Sequence, residues 1–247
     1  MRNWIWPLAL AALCLAPSAT ALAHKGPAPR AAAPLKGLVV VVDAGHGGRD
    51  FGGQVPGVDE KDLILPISRR IAAALRRTGA AVVETRPSDA NLIPKQPEKT
   101  NLQRRNLEAR VQLGVRSGAH VFLSVHANKY SDSSARGSQV FIGDTPDPAR
   151  QLLGICLSNA LATTSGSRRM LDMQTNLYLM RHLPMPAALL EVGFMTSPSE
   201  LGRMQDPAYQ EDLARAVVRG VTCYVRGQEA LGRVPARPNP ARPASGT

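Results

Sequence analysis

At 247 residues the chain can build one α/β domain with a sizeable core, and a second large domain beside it would be a tight fit. Its 30 Lys and Arg against 19 Asp and Glu give a formal charge of +11, which suits a polyanionic partner. Beyond an N-terminal run, no segment is apolar and long enough to cross a membrane, so stable membrane insertion of the folded body is excluded.

The chain starts Met1-Arg2-Asn3, continues with an apolar run from Trp4 to Ala16, and reaches the small-residue triplet Ala21-Leu22-Ala23. This is the layout of a secretory signal over 1–23, cleaved before His24, with an uncleaved N-terminal anchor as the other reading. Cleavage removes one charged residue, Arg2, and leaves +11 − 1 = +10. Export turns the usual nucleic-acid reading of a basic chain toward anionic wall polymer or the outer face of a membrane. It points to the periplasm, or otherwise to the extracellular space or cell wall. Much of the charge is arginine spread along expected helices (Arg69, Arg70, Arg76, Arg77, Arg104, Arg105, Arg110), as on a solvated face. Cys14 follows Leu13 where a lipid-attachment signal needs a small residue, so it is signal filler. Cys156 and Cys223 remain, and in an exported protein they are either bridged or two buried thiols.

Residues 24–36 read as a Pro/Ala linker and 227–247 as a Pro-rich disordered tail, which leaves 37–226 for the catalytic domain. Within it, Leu38 to Val42 reads as a buried strand and Glu60 to Arg77 as an amphipathic helix that Gly79 ends, with Asp59 as its cap. Pro66 lies inside that helix and predicts a kink. A second strand is expected at Ala80 to Thr85, then a polar loop from Arg86 to Lys99, a helix near Leu102 to Ser117 and a central strand at Val121 to Val125. Gln139 to Ile142 reads as an edge strand, Ala149 to Thr163 as a helix, Ala187 to Glu191 as a strand and Tyr209 to Val225 as a closing helix. Strands alternating with helices predict an α/β fold: a single domain with a central, mostly parallel twisted sheet, helices on both faces and a site at the strand ends.

Three segments at strand ends or helix starts carry the chemistry: Asp43-Ala44-Gly45-His46-Gly47-Gly48, Glu60-Lys61-Asp62 and Ser124-Val125-His126-Ala127-Asn128. Two imidazoles and a carboxylate form an open zinc set whose fourth position is left to water. The glycines around His46 permit a sharp turn and leave room for a bulky substrate. A fourth segment, Leu189 to Phe194, places Glu191 at the end of an apolar strand, where a general base would sit. Taken singly, each has an ordinary explanation: a turn histidine, a first-turn glutamate favoured by the helix dipole, a core histidine, a buried ion-pair partner. Their joint occurrence in one order argues against that.

VVVDAGHGGRDFGG, EKDLIL, ETRPSD, the Arg110 segment leading into GAHVFLSVHAN, ARGSQVF and PAALLEVGFMTSPSE run from about Leu38 to Val225. Together they resemble the zinc-dependent N-acetylmuramoyl-L-alanine amidases of the cell-division and sporulation type. That resemblance implies that His46, Glu60 and His126 bind one zinc ion and that Glu191 is the catalytic base. Ala44 stands where the family usually carries Pro. His120 stands where Asp is common, and reads as a surface or capping residue; His24 and His182 fall outside every motif. The implied reaction is hydrolysis of the amide between N-acetylmuramic acid and L-alanine in peptidoglycan, for cell-wall remodelling, daughter-cell separation or lysis. Glu191 would accept a proton from the attacking water and deliver it to the leaving amine. A zinc peptidase acting within the stem peptide and a non-catalytic wall-binding protein are the alternatives.

Longer cell-division relatives carry an inserted helix that lies over the zinc and offers it a Glu. The interval 127–190 contains no Glu here, and Ser165 to Asn176 is left for a short helix or a substrate-side loop. A fourth position open to water and a monomer with no obligatory activator are therefore expected, and no nucleic acid. In the alternative, Asp172 or the segment from Arg168 to Met173 covers the site.

Overall fold

The computed structural model describes residues 33–93, 101–166 and 171–233; the expected signal, most of the linker and most of the tail lie outside them. Strand β1 (Val39–Ala44) is buried throughout. A two-residue hairpin, β2 (Gln54–Val55) and β3 (Val58–Asp59), leads into helix α1 (Glu60–Arg77). There follow β4 (Ala81–Glu84), α2 (Leu102–Arg116), β5 (Val121–Asn128), β6 (Gln139–Gly143) and α3 (Pro148–Ser165). The chain closes with β7 (Asp172–Gln174), α4 (Tyr178–His182), β8 (Ala187–Phe194), α5 (Pro198–Gln205) and α6 (Pro207–Ala230).

Six strands form one sheet in the order β4-β1-β5-β8-β6-β7. The pairs β1–β4, β1–β5, β5–β8 and β6–β7 are parallel, and β6 meets β8 antiparallel. The mostly parallel sheet is therefore as expected, but Gln139–Gly143 is not its edge. Asp172–Gln174 pairs outside it, in a stretch expected to form a helix or loop. Three residues are too short for strand periodicity to register in sequence.

Because side chains alternate across a strand, the two faces of the sheet build two cores. Val40, Val42, Leu123 and Val125 face α1, α3 and α6, where Ile64, Ile67 and Ile71 recur at helical spacing, wholly buried. Each such side chain contributes roughly 1.5–3 kcal/mol of apolar burial. Val39, Val41, Phe122 and Ala187 face α2 and the short α4. That second face carries less cover, and its carboxyl end is where the site opens.

Helix α1 continues through Pro66. Asp59 does occupy its N-cap position, but the side chain makes no cap bond; it accepts from Gln54 Nε2 at 2.7 Å instead. Loop carbonyls meet the helix's first donors: Glu60 N–H donates to Gly53 O at 2.8 Å and Lys61 N–H to Phe51 O at 3.2 Å. Two of the helix's first donors are thus met without a capping side chain. The closing helix extends beyond its expected span at both ends. Leu35 packs into the core at 1% exposure and donates from its N–H to Thr78 O. Cys156 of α3 and Cys223 of α6 form a disulfide with their Cα atoms 5.8 Å apart, which settles the choice between bridge and free thiols.

Candidate metal centre

His46 sits in the loop after β1 with φ of 57°, the only described residue other than glycine in the left-handed region. Such a conformation persists where the surroundings over-determine it, and two buried arginines do so here. Arg110 Nη2 donates to His46 O at 2.6 Å and its Nη1 to Ala44 O at 2.9 Å. Arg86 donates to Ala44 O, Gly45 O and Lys61 O at 2.8–2.9 Å, tying the loop to the first turn of α1. Asp43, fully buried, pairs with Arg110 and accepts from the hydroxyls of Thr85 at 2.6 Å and Ser124 at 2.7 Å. Burial opposes its charge, but the Arg110 guanidinium and the two hydroxyls outweigh it and hold the carboxyl below its ordinary range.

Glu60, the first residue of α1, is buried between the two imidazoles. Its Oε2 lies 3.1 Å from His46 Nε2 and its Oε1 2.9 Å from His126 Nδ1. Gly53 N–H and Ala127 N–H donate to the same two oxygens. Burial opposes the carboxylate, yet bonds and charge from both histidines drive its pKa far below the ordinary value. His46 is penalised by burial, and the bonds to Asp50 and Glu60 overcome that and raise it to about 9.

One donor atom from each of His46, Glu60 and His126 lies within 4.8 Å of the others, the only such cluster among the described residues. Two nitrogens and a carboxylate oxygen this close match the donor set of an open zinc site, so the residues fit the ion. A further observation supports the fit: Asp50 Oδ1 lies 2.9 Å from His46 Nδ1 and also accepts from Gly52 N–H at 3.2 Å. A carboxylate on Nδ1 holds the proton there and makes Nε2, beside Glu60, the nitrogen that would give up its proton to bind a metal.

Glu191 lies on β8 directly across from His126 on β5, on the same face. Its Oε2 is sealed from solvent without a hydrogen-bond partner. Burial above all raises the carboxyl to about 7; His126 works against the shift and Glu60 with it. A carboxyl poised near neutrality can exchange a proton in either direction.

Gly45 and Gly52 are needed for space. A Cβ at Gly45 would lie 2.2 Å from His126 Cε1, and one at Gly52, whose φ is +71°, would lie 2.7 Å from Glu60 Oε2.

The four expected site residues thus come together. Sequence reasoning missed the roles of the side chains that hold them: Asp43, Asp50, Arg86 and Glu200; and Arg110, expected with the other helix arginines on a solvated face, is instead buried, because it pairs with Asp43 and the carbonyls of the metal loop. Asp50, four residues after His46, was the most accessible of these. Buried Glu200 of α5 accepts from Gly137 N–H at 2.8 Å and Phe194 N–H at 2.9 Å, fastening the end of β8. Of the two readings of His120, surface or capping, the second holds: the residue is half-buried and its Nδ1 accepts from Val39 N–H at 2.9 Å at the start of β1. His182 Nδ1 bonds Tyr178 O, and His24 lies outside the described residues. Asp172 stands on β7, three strands from β5, and accepts from Gln174 Nε2 at 2.9 Å. Residues 167–170 lie outside the described residues.

Residues 40–223 match the family model described as N-acetylmuramoyl-L-alanine amidase. Over 197 residues the chain is 32% identical to the germination-specific N-acetylmuramoyl-L-alanine amidase of Bacillus subtilis, covering 77% of this chain and 81% of that protein. The CwlD amidase of Clostridioides difficile, solved in complex with the GerS lipoprotein, is 28% identical with a TM-score of 0.73 over 77% of this chain and 99% of that one. The amidase AmiC2 of Nostoc punctiforme is 30% identical with a TM-score of 0.65 over 78% and 99%.

Proposed function

The chain belongs to the N-acetylmuramoyl-L-alanine amidase family, and on that footing we propose that it works as an exported zinc hydrolase, with His46, Glu60 and His126 as metal ligands and Glu191 as the proton acceptor. The observation that carries this reading is the convergence of the three donors with a sealed carboxyl on the adjoining strand. When bound, zinc would supply Lewis acidity, polarising the lactyl carbonyl and lowering the pKa of a water toward about 7. Glu191 takes the proton of the attacking water and returns it to the leaving amine of L-Ala. Burial disfavours its charged form, which makes it the stronger base for the first step. Asp50 holds the His46 ring in one tautomer, and Arg86 and Arg110 hold the loop.

Export, to the periplasm first, is supported by the signal layout of residues 1–23 and by the Cys156–Cys223 disulfide, which persists in oxidising compartments. No helix among the described residues is long and apolar enough to cross a membrane. Activity without a partner is supported by the placement of Asp172, whose carboxylate bonds Gln174. The similarity to an amidase solved with a lipoprotein favours the opposite, a partner-dependent enzyme.

The test is metal content and release of dye from labelled peptidoglycan by the purified protein alone, after chelation and after zinc add-back. About one zinc per chain, activity lost and restored, and free stems beginning at L-Ala are expected. Full activity in metal-free protein would overturn the mechanism, cuts within the stem would make it a peptidase, and activity only in the presence of another wall protein would make it partner-dependent.

A further inference from the structure

On the face of the sheet opposite α2 and α4, an open groove of about 380 Å³ runs along α1 beside α6. Residues four apart on a helix are neighbours on its surface. Leu65, Arg69, Ala73 and Arg77 therefore follow one line along α1, and the small Ala73 leaves a hollow between the two arginines. Arg70 lines the same groove from the next position round the helix, and Glu211 of α6 lines it from across. Among the described lining residues three guanidiniums thus meet one carboxylate.

Each guanidinium is held through one nitrogen. Arg70 donates from Nε to Gln210 Oε1 at 2.9 Å, Arg77 from Nη2 to Glu211 Oε1 at 2.7 Å, and Arg69 from Nη2 to the carbonyl of Pro87. The other nitrogens of all three have no hydrogen-bond partner among the described residues. Like charges crowded round one groove repel, and an anion with several acceptor atoms relieves that repulsion.

The geometry of the forks narrows the anion. An arginine fork pairs with the oxygens of a carboxylate or a phosphate. A carboxylate has its two oxygens in one plane, whereas a phosphate presents oxygens tetrahedrally and can be met by forks from several sides. The exposed large apolar side chains among the described residues all lie away from α1 and from this groove. It therefore lacks the apolar side chains that an interfacial helix buries among lipid headgroups.

We propose that this groove binds the phosphate groups of an anionic envelope polymer, a phosphodiester chain outside any bilayer, and so holds the protein to its wall while the opposite face of the sheet meets peptidoglycan. Arg69, Arg70 and Arg77 supply the donors, and Glu211 competes with the ligand for Arg77. The proposal goes beyond the hydrolase reading: it needs export, but neither the metal nor Glu191.

Isothermal titration of the purified protein with a linear glycerol phosphate polymer tests it, with poly-L-glutamate and phosphatidylglycerol vesicles in parallel. The polymer should bind, and Arg70→Gln/Arg77→Gln should bind it about tenfold more weakly, since each charge-assisted hydrogen bond contributes severalfold. Arg116→Gln/Arg226→Gln removes the same charge from exposed positions outside the groove and should bind as the parent does. Glu211→Gln removes the competing carboxylate and should bind several-fold more tightly, which damage to the fold would not produce. Hydrolysis of polymer-free peptidoglycan should be equal in the parent and every variant. Failure of the hydrolase reading shows separately, as proteins that are all inactive while the titration still reports on the groove. Equal binding by the parent and the Arg70/Arg77 variant, equal affinity for poly-L-glutamate, or binding to the vesicles and not to the polymer would overturn the proposal.

Discussion

Replacing Glu191 by glutamine separates its chemical role from its cost to the fold. Its carboxyl titrates at about 7 against an ordinary 4.5, because burial disfavours the charged form. The folded chain therefore holds this proton more tightly than the unfolded chain, and stability falls as pH rises from 4.5 through about 7. Below 4.5 the group is neutral in both states and costs nothing; above about 7 the full penalty applies. At about 1.4 kcal/mol per pH unit of difference, the penalty reaches about 3 kcal/mol. Glutamine never ionises, so in metal-free protein the stability of Glu191→Gln relative to wild type should improve by about 2 kcal/mol between pH 5 and pH 8.5. Any cost of burying the amide is the same at both pH values and cancels from that comparison. Urea denaturation of both chelated proteins at the two pH values measures it, and turnover by the zinc-loaded variant should fall about 10²–10⁴-fold with the metal retained. A stability gap that does not change with pH would refute the buried-carboxyl argument, and loss of zinc would make Glu191 a ligand.

Asp50→Asn should weaken zinc binding by about 10–100-fold, read by competition with a chromogenic chelator, because the partner that fixes the His46 tautomer is weakened. Gly45→Ala should abolish zinc binding while leaving far-ultraviolet circular dichroism unchanged, since its Cβ would occupy the space of the His126 ring. Substituting both Cys156 and Cys223 with alanine removes a link between positions 67 residues apart and should cost about 4 kcal/mol in urea denaturation, as reduction should in the parent chain.

The longer strands and helices, and the residues brought together around His46, were legible because both rest on local signals. Ile64, Ile67 and Ile71 recur at helical spacing whatever they pack against, and the uniformly apolar run Val39 to Val42 announces a strand buried on both faces. His46 follows β1 and Glu60 begins α1, as expected of an open sheet's site, whereas β5 and β8 run on past His126 and Glu191 to Asn128 and Phe194. Adjacency of strands was not legible: that β7 pairs outside β6 depends on a three-residue contact with no periodicity of its own. Nor was the choice of partner for a polar side chain. Asp59 bonds Gln54 instead of capping α1, and carbonyls of residues 51 and 53 meet the helix's first two donors. Whether Cys156 and Cys223 were joined depended on two helices packing side by side. The supports of the metal loop are long-range in the same way, Arg110 reaching Asp43 across 67 positions and Arg86 reaching Ala44 across 42. A residue's propensity for strand or helix travels with its neighbours in the chain, whereas a buried charge takes the partner that folding brings within reach, and that is decided only when the sheet has closed around it.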